Sequence, residues 1–268
     1  NFFDTKTTQS TSFPYYFNID VDKELTFTPI INYGGGIDSS QRFNFDYNQL
    51  LSGGNLSTNL TFDSNFENQN SNKWLSDASL ITNYNQNIND KFRLSLNSAL
   101  ETSQNYIQIT QPNSDLSYET SLSTILKLEG FNLNRIDDRF DAKINFYQTN
   151  QKNEDNKTIP TVLPHISYNS GIENKNGNNI NNTFEFYNIF RDKNTSVHAQ
   201  NQQKLSHTFD INKEIYKYNS KVSLKAKMYN QFFSTENKLI HSNNFHTGSM
   251  YRLFPIISME IETPFKLK

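Results

Sequence analysis

The chain has no cysteine. This excludes a disulfide framework and a thiolate metal site, but says nothing of whether its compartment is reducing or oxidising. No run approaches the ~18 apolar residues of a membrane-crossing helix. Lysine and arginine never cluster, and the formal charge is −2 with pI near 6.2. A nucleic-acid interface needs a basic footprint, so no nucleic acid is expected as a partner. Gly34–Gly36 lacks the Lys-Ser/Thr and the helix of a phosphate loop. No Gly-x-Ser-x-Gly nucleophile elbow occurs. His165, His198, His207, His241 and His246 show no metal-ligand spacing with a carboxylate. Asp137-Asp138 and Asp20/Asp22 read as hairpin-turn residues, not as a general acid–base pair. The expectation is a protein that is not an enzyme, with no cofactor and no metal.

What is present is unusual. Hydrophobic residues make up only 34% and mean hydropathy is −0.74, yet there are 22 phenylalanines and 14 tyrosines. Disordered chains are poor in aromatics. The combination suits sheets with one apolar and one polar face, the composition of a transmembrane barrel with a wet interior and a lipid-facing exterior. The dominant period is two. Phe43, Phe45 and Tyr47 alternate with polar residues, as do Leu56, Leu60 and Phe62, and Phe92 to Leu100. Tyr118 to Leu128, Phe140 to Phe146, Phe184 to Phe190 and Val222 to Met228 continue the pattern. Clusters of Asn, Asp, Gly and Ser separate these segments as turns. The count is roughly thirteen strands of about 9 to 13 residues, against the ~9–11 that a tilted membrane strand needs. No helical period is evident. Residues 204–217 read least clearly, with helix as the second choice.

One stretch organises the rest. Phe13 to Tyr33 reads as two extended segments joined by a charged turn through Asp20, Asp22, Lys23 and Glu24. Each arm carries a proline, Pro14 and Pro29. A proline has no N–H for a ladder, so two of them mark a weakly paired place in a sheet. Pro29, Pro164 and Pro255 each precede an apolar segment, which predicts strand starts. Phe13, Tyr15, Tyr16 and Phe17 suit either an interfacial aromatic girdle or a substrate-lining surface.

Pro14-Tyr15-Tyr16-Phe17-Asn18-Ile19 and Leu25-Thr26-Phe27-Thr28-Pro29 resemble the first two barrel strands of the LptD family, the lipopolysaccharide-assembly proteins of the Gram-negative outer membrane. Leu128-Glu129-Gly130-Phe131 resembles a family strand end. Residues 160–168 and 252–259 resemble its Leu-Pro and Phe-Pro strand starts. The similarity runs in order from about residue 13 onward. The chain departs from the family at Asn18-Ile19-Asp20-Val21-Asp22, which lacks the family's further proline, and in having no maturation cysteines.

The resemblance implies an all-β fold: an antiparallel up-and-down transmembrane β-barrel of about thirteen strands, part of a larger barrel. Residues 1–268 would be a single domain, the N-terminal half of that barrel. Residues 1–12 would lead in from a missing periplasmic domain. The resemblance further implies integral placement in the outer membrane and insertion of lipopolysaccharide through a lateral gate. Pro14, Tyr15, Tyr16, Phe17, Asn18, Ile19 and Pro29 would line that gate and the substrate path. The implied partners are lipopolysaccharide, membrane lipid, an outer-membrane lipoprotein plug of the LptE type, and periplasmic lipopolysaccharide-bridge proteins reached through the missing N-terminal domain. The alternatives are an outer-membrane pore or receptor barrel without a lateral gate, and a soluble or cell-surface sheet binding glycans. Because a half-barrel leaves two unpaired edges, the segment is not expected to fold alone.

Overall fold

Alternating patterning makes strands, and strands dominate. The computed structural model describes residues 9–33, 40–64, 75–151, 154–193, 195, 199–241 and 244–263. The described residues form fifteen strands. The first seven are β1 (Gln9–Ser12), β2 (Tyr15–Asp20), β3 (Lys23–Tyr33), β4 (Ser40–Leu51), β5 (Gly54–Ser64), β6 (Leu75–Asn87) and β7 (Phe92–Glu101). After a short helix, α1 (Tyr106–Thr110), and a 3-10 turn at Asp115–Tyr118 come β8 (Ser121–Phe131), β9 (Arg139–Thr149), β10 (Thr161–Asn169) and β11 (Glu173–Lys175). The last four are β12 (Asn178–Phe190), β13 (Asn201–Lys217), β14 (Ser220–His241) and β15 (Asn244–Glu262).

Their hydrogen-bonded order is β1-β3-β4-β5-β6-β7-β8-β9-β10-β12-β13-β14-β15, with β2 also on β3 and β11 also on β12. This is an antiparallel up-and-down meander of thirteen successive strands. It is an open sheet, not a closed barrel: among the described residues no pairing joins its last strand to its first.

Several local expectations are corrected. Residues 204–217 lie in β13, so the helical option falls. Tyr118 ends the 3-10 turn and β8 begins only at Ser121. α1 has five residues, too few for a readable apolar repeat; its first amides are held by Glu101, whose carboxylate accepts from Asn105 N–H and Ile107 N–H at 3.0 Å each. Gln9–Ser12 forms a strand paired with β3. β13, β14 and β15 run to 17, 22 and 19 residues, longer than expected. The three prolines lie inside strands rather than at their starts. Pro164 follows a cis peptide bond within the register shift between Val162 and His165. Pro255 sits in β15, an edge strand with one side free of ladder partners among the described residues, the side of a sheet that tolerates proline. The Gly34–Gly36 turn and the Asn68–Asn72 cluster lie outside the described residues.

Contacts group the chain into two compact units, Asn1–Ile88 with Leu94–Leu126 and Phe146–Ile159, and Asn89–Arg93 with Lys127–Asn145 and Pro160–Lys268. In the first unit, the register puts Phe27, Phe45, Leu60 and Leu80 on one row across β3 to β6. The next row on the same face is Pro29, Phe43, Phe62 and Ala78. The opposite face carries Arg42, Asn44, Asp46, Asn59, Thr61 and Asp63. There Arg42 pairs with Asp63 at 2.7 Å, and Asn59 Nδ2 donates to Asn44 at 2.7 Å and to Asp46.

The second unit is divided the same way. Rows such as Ile180, Ile211, Ala226 and Ile257, and Phe186, Leu205, Phe232 and Tyr251, share one face. Across β12 to β15, between the Tyr251 row and the Ile261 row, that face carries one charge, Lys213, and β11 adds Glu173 opposite Ile180 and Lys175 opposite Asn178. The ion pairs Lys204–Glu185, Lys227–Asp210, Lys225–Glu260 and Lys221–Glu214 all lie on the other face. Strict alternation therefore gives each unit one apolar and one polar face.

The turn between β8 and β9 is closed by a buried carboxylate. Asp138 accepts from Leu133, Asn134 and Arg135 N–H at 2.6, 2.9 and 3.2 Å, and from Tyr168 OH at 3.3 Å. Burial works against its charge, but the backbone donors outweigh it and hold Asp138 below the ordinary carboxylate value. A depressed carboxylate stabilises the fold above its unfolded pKa, and that stabilisation disappears as pH falls through the folded value, below 3.8. Protection of the Leu133 and Asn134 amides from hydrogen exchange should thus be lost below that pH. In Asp138→Asn it should be weak at every pH; unchanged protection in that variant would refute the clamp.

Candidate functional site

The site begins with a two-residue turn. Val21 and Asp22 join β2 to β3, and Val21 is 98% exposed. The turn is thus narrower than the charged run Asp20 to Glu24 suggests. β1 and β2 lie along the same side of β3 in one register, from Ser12 opposite Ile30 to Tyr15 opposite Phe27. That register sets Phe13 against Pro29 and Pro14 against Thr28. Phe13 N–H donates to Pro29 O at 3.1 Å.

Strand geometry fixes what each proline does. In an antiparallel pair, a residue whose carbonyl faces a neighbour turns its nitrogen to the same neighbour. Pro29 therefore faces Phe13 with a nitrogen that carries no hydrogen, and the return bond of that rung is missing. The β3–β4 ladder on its other side runs unbroken through Thr28↔Asn44, Pro29↔Phe43 and Ile30↔Arg42. Pro14 is one position further along, so its nitrogen points away from β3 to the free edge. The two prolines weaken the outermost strand at two adjacent levels: Pro29 from inside, Pro14 by removing a donor from the edge.

The side chains of β2 divide by face. Tyr15 and Phe17 join Phe13 and Pro29 on the apolar face; Pro14, Tyr16 and Asn18 lie on the polar one, and Ile19 sits in the register shift between Asn18 and Asp20. All six residues of β2 are exposed. On the apolar face the rings form a chain: Tyr15–Phe27 at 6.4 Å, Phe27–Phe45 at 4.7 Å and Phe45–Phe62 at 6.0 Å between centroids. On the polar face, Tyr16 OH donates to Glu24 at 2.9 Å and Asn48 donates to the same carboxylate at 3.1 Å. Beside them is a cavity of about 410 Å³ whose lining includes Tyr16, Asn18, Glu24, Asn48, Asn55 and Ser57.

The sequence-level candidates thus share one hairpin but split into two sets with opposite chemistry. Glu24, Asn48 and Phe27 were not among them. Counting from the Val21–Asp22 turn would have misplaced them: a plain two-residue turn sets Tyr16 opposite Phe27, and only the register shift between Asn18 and Asp20 brings Tyr16 onto the face of Glu24. No protein-family model matches the chain, and no curated protein matches it.

Pro29→Val supplies the missing N–H and should add one ladder bond, ~0.5–1.5 kcal/mol. Amide exchange at Phe13 and Tyr15 should slow by up to about tenfold, since ~1.4 kcal/mol is a factor of ten. Unchanged exchange would show that the rung is already closed some other way.

Proposed function

We propose that this chain is part of an outer-membrane β-barrel that inserts lipopolysaccharide into the outer leaflet, with the hairpin edge of β1, β2 and β3 as its lateral gate. One observation carries the reading: in a long ladder, the outermost pairing lacks backbone donors at two adjacent levels, at Pro29 on its inner side and at Pro14 on its outer edge. The resemblance of residues 13–33 to the LptD family supports the same reading.

The apolar face has membrane dimensions. From Tyr251 to Ile261 it extends ~33 Å along β15 at ~3.3 Å per residue. At a ~40° strand tilt this projects to ~25 Å, the height of the lipid-facing band of outer-membrane barrels. Lipopolysaccharide has acyl chains that partition into lipid and sugars that stay in water. The hairpin offers a surface for each: rings of Tyr15, Phe17 and Phe27 on one flank, Tyr16, Asn18 and Glu24 on the other. Within lipid a backbone group has no water to turn to, so each ladder bond counts for more than in water. A closed barrel with one depleted seam opens there first. In this reading the barrel works with an LptE-type lipoprotein plug and with periplasmic bridge proteins.

Two experiments test it. A cysteine at Asn18, crosslinked in the complete protein to a cysteine scanned along the strand that closes the barrel, should stop new lipopolysaccharide from reaching the cell surface; reduction should restore it. Transport that continues through a locked seam favours the gateless pore. For the faces, Ala226→Arg on the apolar side should cost ~2–4 kcal/mol in unfolding from lipid vesicles. Thr208→Arg on the polar side should cost far less, and equal losses would remove the membrane assignment.

A further inference from the structure

Antiparallel strands need only a two-residue loop, yet residues 102–120 make a far longer excursion between β7 and β8. They fold back onto the polar face of the first unit. Tyr106 OH donates to Asp63 Oδ1 at 3.0 Å, on the carboxylate that holds Arg42, and the Arg42 guanidinium lies 6.0 Å from the Tyr106 ring centre. Burial foremost, and then Asp63, push the Tyr106 phenol above its ordinary value, so it stays a donor. Gln111 Nε2 reaches Asn59 Oδ1 at 3.1 Å. Ile107, fully buried, packs with Ala99 and Leu122, and Ile81 and Leu116 flank them.

The consequence is visible in the sheet. Thr61 and Ser79, hydroxyl residues on the polar face, are only 2% exposed. Asn18 and Asn48, on that face at the hairpin end, are open. On its far side the excursion shows Ile109 at 71% and Tyr118 at 80% exposure. A polar sheet face covered by its own chain, through side-chain hydrogen bonds and one small apolar knot, is a fixed obstruction on a surface whose composition suits water.

We propose that residues 102–120 are a built-in plug that narrows the aqueous passage of the barrel, latched by Tyr106 on Asp63 and Gln111 on Asn59. This rests on reading the polar face as lumenal, but not on the lateral gate. The ends of the excursion are tied separately: Thr102 N–H donates to Ala78 O at 2.9 Å, and Asn150 Nδ2 donates to Glu119 O at 3.0 Å. The middle can therefore be removed without untying the strands.

The test uses the complete protein in planar bilayers. Replacing residues 103–118 by an Asn-Gly linker should raise single-channel conductance about threefold or more, because conduction follows pore dimensions. Cells carrying the variant should admit hydrophilic antibiotics that the parent excludes. Heat-modifiable gel mobility checks that the barrel has formed. Should the deletion fail to fold, Tyr106→Phe with Gln111→Ala keeps the Ile107 knot and loosens only the latch, and should give flickering openings absent from the parent. Conductance unchanged in whichever variant folds, or no conductance in parent and variant alike, overturns the plug. Raised conductance with lipopolysaccharide transport unaffected by the seam crosslink leaves the plug standing and removes the gate.

Discussion

Backbone hydrogen bonding is the constraint on which this structure depends. A strand satisfies its N–H and C=O groups through its neighbours, so a long meander is stable only while each rung is made on both sides. Register is nearly continuous through β3 to β6 and through β12 to β15. Against that continuity, the loss of one donor at Pro29 and of another at Pro14 is a local event at a place that an edge strand makes vulnerable. The same prolines in a helical protein would mark kinks; here their nitrogens lie on opposite sides of the outermost strand, at adjacent levels.

The second organising fact is the division of faces. Period-two alternation sends the Phe27, Phe43, Phe45 and Phe62 rings one way and the Asn44, Asp46, Asn59 and Asp63 side chains the other. Few of these groups are buried by the chain itself; among the described residues the fully enclosed apolar ones are few and small in total volume. Such a sheet cannot be held by a conventional core. It fits a setting in which one face is covered by something apolar outside the chain, which is why the membrane reading explains both the low hydropathy and the many exposed rings.

Most of the strand architecture was legible because alternation is a local signal: Phe43-Phe45-Tyr47 and Val222-Leu224-Ala226-Met228 declare their faces without reference to anything distant. Residues 204–217 hid because Lys204, Ser206, Thr208, Asp210 and Asn212 make up a polar face beside only a loosely apolar one, and the register with β12 and β14 decides the matter. α1 was invisible since its start depends on Glu101 and its packing on Leu122, neither of which a helical repeat reports. The prolines misled for a related reason. A strand start is the cheapest place for a proline in general, but whether a nitrogen faces a partner or an open edge depends on parity within a ladder, and parity requires the partner strand. The candidate residues Pro14 to Ile19 and Pro29 were legible as a group, and their separation into an apolar and a polar set was not.

The missing rung and the aromatic chain beside it bear on each other. One ladder bond contributes ~0.5–1.5 kcal/mol, and a well-placed aromatic pair contributes about the same beyond its buried area. The Tyr15–Phe27 contact at 6.4 Å can therefore offset the bond that Pro29 cannot make. The two differ in kind, however. A hydrogen bond weakens steeply with angle and distance, whereas ring contact is tolerant of sliding and is available equally from an acyl chain. An edge held by rings in place of a rung keeps its stability while closed and exchanges one apolar partner for another as it opens. On the proposed function, that substitution would suit the hairpin to be a seam better than a strand merely short of hydrogen bonds, which would be loose at all times.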